Sequence, residues 1–238
     1  MNHNLFLRAI EVKKFHDPDS FPFYLPIIKK LKKLTFSKPV TFFIGENGAG
    51  KSTLLEAIAI EMGFNPEGGS RNFRFSTYDS HSNLSNYIQP IKGISFPKDG
   101  YFLRSESFYN LSTEIDELAV EDYYGGESLH NKSHGEGFLS LFSSRLYGNG
   151  LYIFDEPECA LSPVGLFKLL VLMHELVEKK SQLIIATHSP IILAYPNAEI
   201  LEFKGSDIVP ISYKESDIYT LYKRFLEDDN FVHKLLKD

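Results

Sequence analysis

Cysteine is almost missing from this sequence. Cys159 stands alone among 238 residues, which excludes an intrachain disulfide and fits a reducing compartment. No apolar run approaches membrane-spanning length, and the N-terminal residues hold no signal-peptide-like hydrophobic segment, so a cytoplasmic protein is expected. Basic residues are not in excess either: 25 Lys and Arg stand against 31 acidic residues, a net charge of -6. Sequence-independent binding along a nucleic-acid backbone is therefore unsupported by net charge, although a local basic patch stays open. Internal repeats and low-complexity segments are absent too. What is there is a chain 43% hydrophobic, enough to bury the core of one globular unit.

Residues 5–12 alternate loosely, as a strand does. Prolines 18, 22 and 26 then interrupt an aromatic-rich stretch. Ile27, Ile28, Leu31 and Leu34 fall at helical spacing, with Lys29, Lys30, Lys32 and Lys33 on the other side. Such a lysine run reads first as a solvated helix face and second as a nucleic-acid contact. Residues 40–44 predict a buried strand and residues 52–61 a helix. Residues 63–100 are rich in Gly, Ser, Asn and Pro and predict loops with short antiparallel strands, one of them at 73–78. A strand at 101–103 and a helical stretch at 114–124 follow. From Leu151 the chain alternates: strand 151–154, a helix opened by Ser162 and Pro163, strand 183–186, strand 200–203, then a helical tail. Alternation at both ends predicts an α/β fold with a mainly parallel sheet, an irregular middle being inserted into it.

Gly45-Glu46-Asn47-Gly48-Ala49-Gly50-Lys51-Ser52 satisfies G-x-x-x-x-G-K-[ST] at every fixed position. Glycines let the backbone wrap so that its N–H groups face phosphate oxygens, and the following helix adds the positive end of its dipole. In this pattern Lys51 reaches the β- and γ-phosphates, Ser52 binds magnesium, and Thr53 lies near the α-phosphate. The motif sits between a predicted buried strand and a helix, so ATP and Mg2+ are the expected ligands.

Residues 151–154 form an apolar strand that ends in Asp155 and Glu156. Two charges there cost desolvation energy unless they have partners or a task. In a P-loop protein Asp155 is placed to hold magnesium, and Glu156 to orient or deprotonate the attacking water. His188 follows the strand at 183–186, at the sheet edge where ligands of open α/β proteins bind. A histidine there can hydrogen-bond the γ-phosphate and the catalytic water, or be merely structural.

These pieces, in this order, resemble the ABC-type ATPase family. The resemblance runs from about residue 40 to 190 and extends to small bacterial AAA-family or ABC-like ATPases, through Phe42-Phe43-Ile44-Gly45 and Asp155-Glu156-Pro157-Glu158. It implies one domain over residues 1–238, with a nucleotide-binding core at 1–100 and 150–238 and a helical subdomain at 101–149. It also implies a signature motif, for which Ser133-His134-Gly135-Glu136-Gly137 stands, departing from the usual L-S-G-G-Q and closer to SMC-like forms. Ser133 and Gly135 would then face the γ-phosphate bound by the opposite subunit, so that a homodimer forms on ATP binding. Ala160-Leu161-Ser162 resembles the partner-contacting loop, with Ser162 where aspartate often stands. Glu106 is the candidate for the lid position that senses magnesium and water, with pairing to Arg104 as the rival reading. For the adenine ring Phe15, Phe23 and Tyr24 qualify, and core packing competes for each.

ATP hydrolysis by such a sandwich is the function expected. The ATP-binding subunit of a membrane transporter, with a permease as partner, is one alternative. Another is a low-turnover switch or scaffold in a DNA-repair or defence system. The stretch between Lys51 and Ser133 is too short for long SMC-type coiled-coil arms.

Overall fold

The computed structural model describes residues 5–15, 17–70, 82–104, 139 and 144–237. Its strands are β1 (Leu7–Val12), β2 (Lys33–Thr35), β3 (Val40–Gly45), β4 (Gly69–Ser70), β5 (Ile88–Lys92), β6 (Asp99–Arg104), β7 (Gly150–Asp155), β8 (Gln182–Ala186), β9 (Glu199–Lys204) and β10 (Asp207–Ile211). Its helices are α1 (Pro26–Lys30), α2 (Lys51–Glu61), α3 (Pro163–Glu178), α4 (Pro190–Leu193), α5 (Asp217–Glu227) and α6 (Phe231–Leu235).

The main sheet has the order β10-β9-β3-β8-β7-β6-β4. Its inner pairs, β9 with β3, β3 with β8, β8 with β7 and β7 with β6, are parallel, and only the β10 and β4 pairings are antiparallel. A second, antiparallel sheet has the order β2-β1-β5. The expected mixed architecture is thus present: a mostly parallel sheet, an antiparallel region and flanking helices.

Each inner strand is buried on both faces, as parallel strands require. Phe43, Ile153 and Ile184 point into one core, which α2 and the small sheet close with Leu54, Ile58 and Ile10. Their chain neighbours Phe42, Phe154 and Ile185 point into a second core, closed by Leu169, Met173 and Leu176 of α3. The strand period of two sorts the residues between these layers. Helix α3 starts as its sequence dictates: Pro163 occupies the first turn and the Ser162 Oγ accepts from the Gly165 N–H at 3.2 Å.

The two sheets meet at a buried amide. Gln182 on β8 accepts from the Leu7 N–H through Oε1 at 2.9 Å and donates Nε2 to the Leu7 carbonyl at 2.8 Å. It satisfies both backbone groups where β1 has a register shift between Leu7 and Ala9.

One expected element differs. The helical spacing from Ile27 to Leu34 ends early, since α1 stops at Lys30 and Leu31 is already extended (φ -65°, ψ 117°). Leu34 belongs to β2, paired with Ile10 of β1. A short helix gains little by lengthening, whereas an extended chain here pairs β1 and still buries Leu34. The lysines are consequently divided between α1, its C-terminal turn and β2, with Lys30 on Asp207 at 2.6 Å and Lys33 on Glu11 at 2.9 Å. β10, which sequence reasoning passed over, extends the sheet beyond β9. Tyr101 to Arg104 lie in the main sheet, and the strand at 73–78, the helix at 114–124 and most of the 101–149 subdomain lie outside the described residues. Among the described residues no helix is long and apolar enough to cross a membrane.

Candidate active site

Three parallel strands, β3, β8 and β7, lie side by side and end at one edge. β3 runs into the glycine loop and α2, β7 into Asp155 and Glu156, and β8 into Thr187 and His188. Residues far apart in the chain therefore share the C-terminal edge of the sheet.

The loop needs its glycines. Gly45, Gly48 and Gly50 all have positive φ (138°, 79° and 96°), and a Cβ on Gly45 would meet the Phe203 carbonyl at 2.5 Å. Lys51 opens α2 and is buried, its ammonium donating to the carbonyls of Gly45 at 2.8 Å and Glu46 at 2.9 Å. Burial lowers its pKa, against the opposing pull of Glu156, Asp155 and Glu158. Beside it the Ser52 hydroxyl donates to Asp155 Oδ1 at 2.9 Å.

Glu156 has φ 48° and ψ 55°, a left-handed conformation costing a non-glycine residue about 1–2 kcal/mol. It is held by its own N–H to the Ala186 carbonyl at 2.9 Å and by the Cys159 N–H to its carbonyl at 3.1 Å. The 3-10 turn Pro157–Ala160 follows directly. His188 Nε2 lies 3.7 Å from Glu156 Oε1. That imidazole nitrogen is buried and has no hydrogen-bond partner among the described residues. Burial, and then the Lys51 charge, lower the His188 pKa below the imidazole value, with Glu156 opposing. Glu158 accepts from the His188 backbone N–H, and burial raises its carboxyl pKa. Cys159 Sγ sits 3.6 Å from Glu156 Oε2, and burial with the nearby carboxylates pushes the thiol up to about 11.

Two clefts flank the glycine loop. One of about 320 Å³ is lined by Phe21, Tyr24, Lys51, Ser52, Thr53 and Glu156. The other, of about 720 Å³, runs past Glu46, Asn47 and Ala49 to His188, Lys204 and Asp217. The three aromatic candidates separate cleanly. Phe15 and Phe23 stack at 4.7 Å and Phe23 is 4% exposed, so both pack into the core, whereas Tyr24 is 53% exposed beside the loop. Phe21, 55% exposed in the same cleft, was not among the aromatics proposed for the adenine ring. Its signal was present, since it lies in the same aromatic stretch, but nothing local distinguishes a solvent-facing ring from a buried one.

The structure thus brings together Gly45, Glu46, Asn47, Gly48, Ala49, Gly50, Lys51, Ser52, Thr53, Asp155, Glu156 and His188. Ser133, Gly135 and Glu106 lie outside the described residues. Arg104, considered as a partner of Glu106, forms an ion pair with Glu56 at 2.9 Å. Ser162 caps α3. Among the described residues no group of three or more His, Cys, Asp or Glu is placed to hold a metal ion. A magnesium ion bound through phosphates needs no such cage, and the Ser52–Asp155 pair with the open glycine loop fits it.

Two family models match the chain. One, described as "AAA domain", covers residues 20–118, and the other, described as "AAA domain, putative AbiEii toxin, Type IV TA system", covers residues 136–194. No curated protein matches. Among solved structures, CbiO1 from Clostridium perfringens, part of the ABC transporter complex CbiONQ, is similar at 18% identity, TM-score 0.52, covering 97% of this chain and 98% of that one. The ADP conformation of MJ1267, an ATP-binding cassette of an ABC transporter, is similar at 19% identity, TM-score 0.46, over 98% and 99% of the two chains. The SMC head domain from Thermotoga maritima is similar at 17% identity, TM-score 0.44, over 87% and 100%. The first of these likenesses shows the fold. The two family models, each matching less than half of the chain, make it similar to AAA-domain proteins as well.

Proposed function

We propose that this chain hydrolyses ATP to ADP and phosphate, and that two copies close over the nucleotide. The observation that carries the reading is the convergence of Lys51, the Ser52–Asp155 pair and the Glu156–His188 pair at one sheet edge. On ATP binding Lys51 exchanges its two loop carbonyls for phosphate oxygens, and the loop N–H groups take the rest of the charge. Ser52 and Asp155 would hold magnesium, which when bound neutralises charge on the β- and γ-phosphates. Glu156, in its left-handed conformation, orients the attacking water and accepts its proton. His188 offers its buried Nε2 to the γ-phosphate or that water. Tyr24, with Phe21, provides an aromatic surface for the base beside the loop.

In the dimer, Ser133 and Gly135 of one copy face the γ-phosphate held by the other, and Glu106 senses magnesium and water from the lid. Residues 160–162 contact the partner subunit. Hydrolysis removes the charge that holds the copies together, and the dimer opens. Glu156→Gln keeps the shape of the site without its base, so it should accumulate an ATP-bound dimer. Light scattering at saturating ATP and magnesium checks this, and a strictly monomeric mutant would refute the sandwich.

A second reading is a low-turnover switch in a defence or toxin-type system. The description of the family model matching residues 136–194 favours it. Expression of the chain beside its Glu156→Gln variant separates the two: growth arrest by both, with negligible turnover in vitro, supports the switch.

A further inference from the structure

The edge where β7 and β8 end is fastened twice. One fastening is ordinary main chain: the Glu156 N–H donates to the Ala186 carbonyl at 2.9 Å, continuing the parallel ladder. The ladder stops there, because Glu156 turns left-handed and the 3-10 turn Pro157–Ala160 carries the chain away. The next donor along β8's path, the His188 N–H, would have no strand carbonyl opposite it. The Glu158 carboxylate fills that gap from within the turn, across 30 residues of sequence. Thr187, between the two fastenings, is fully buried, and its Oγ1 accepts from the Ser189 N–H at 3.0 Å. His188 is thereby gripped by its backbone, with its Nε2 at 3.7 Å from Glu156 Oε1.

We infer that Glu158 is a positioning residue for the reaction: by holding the His188 main chain against the turn that carries Glu156, it sets the base and the histidine side by side. The inference rests on the hydrolytic reading of Glu156 and His188. A carboxyl oxygen suits the role, because it can accept the His188 N–H from within the turn where no strand carbonyl is aligned. The turn geometry explains why a side chain is needed at all, since Glu156's left-handed backbone removes the strand carbonyl that would otherwise serve. With Glu158 truncated, the His188 N–H loses its acceptor and the loop after β8 is free to rotate the imidazole away. Nucleotide binding, carried by residues 45–53 on β3 and α2, stays as it was.

The test is steady-state ATP hydrolysis by the full chain, with ATP and magnesium as the only probes. Glu158→Ala, and Glu158→Met, which keeps the bulk but no acceptor, should lower kcat by about 10- to 100-fold while KM stays within about twofold. Glu158→Gln retains a carbonyl acceptor and should restore turnover to within about threefold. In a His188→Ala background, Glu158→Ala should cost less than about twofold more, because no imidazole is left to position. Should Glu158→Ala fail to fold, the Met and Gln variants carry the same comparison. A kcat near the parent value in the Ala or Met variant overturns the inference, as does a loss that multiplies fully with that of His188→Ala. The underlying reading fails separately: if Glu156→Gln and His188→Ala both hydrolyse ATP like the parent, the assignment of those two residues is wrong whatever Glu158 does.

Discussion

Strand β7 has a different chemistry at each end. At its start Tyr152 donates to Asp99 at 2.7 Å and accepts from the Gly148 N–H at 2.9 Å, while Arg145 and the Tyr147 N–H complete the Asp99 carboxylate at 3.1 and 2.9 Å. Burial, then Asp99, push the Tyr152 phenol well above its usual range, so it remains a neutral donor. At its far end, by contrast, Glu156 is left-handed, Lys51 donates to two loop carbonyls, and buried His188 Nε2 has no hydrogen-bond partner among the described residues. One end is a completed polar cluster, and completed clusters lock a fold. The other holds strain and unspent hydrogen-bonding capacity, as a site awaiting a ligand does.

The comparison breaks if the ends do not respond differently to substitution. Asp99→Ala removes the acceptor for Arg145, Tyr152 and the Tyr147 N–H at once, and should cost about 3–5 kcal/mol of stability by chemical denaturation. The folded fraction should still bind ATP normally, and lost binding would mean that the two ends are coupled. Lys51→Ala should do the reverse. Hydrolysis should fall by about 10²- to 10³-fold while the unfolding midpoint moves little. Tyr152→Phe removes one hydroxyl from a cluster with other members, so about 1 kcal/mol is expected in the same denaturation assay.

The smallest effect is in pH dependence. Because His188 has a lowered pKa, it stays neutral as pH falls to the point where a free imidazole, near 6.5, would already take up a proton. The kcat/KM profile should therefore be flat through neutrality, and its histidine limb should appear only below about 6.5. A limb at or above that value would mean that Glu156, not burial and Lys51, governs the imidazole.

The glycine loop was legible because its pattern is local: the fixed positions from Gly45 to Ser52 lie within eight consecutive residues, between a strand and a helix. The strand ending in Asp155 and Glu156 was legible for a related reason, as apolar residues followed by paired acids betray a strand leaving the core. The helix read across Ile27 to Leu34 went wrong because a periodic pattern does not reveal that β1 needs a partner in β2. Phe23 and Tyr24 are adjacent aromatics, one buried in the core and one exposed at the cleft. No composition or spacing separates them, because neighbouring side chains diverge and only packing decides which faces inward.

By itself, then, the sequence determined the alternating α/β layout, the glycine loop between β3 and α2 and the paired acids at the end of β7, since each depends on residues within a few positions of one another. Only the tertiary structure decided that Ser52 meets Asp155, that Glu158 reaches His188, and that Gln182 seals β8 to Leu7. Those contacts span 103, 30 and 175 residues of chain. Their partners become neighbours when burial of two hydrophobic faces fixes the order of parallel strands, and no local propensity encodes that order.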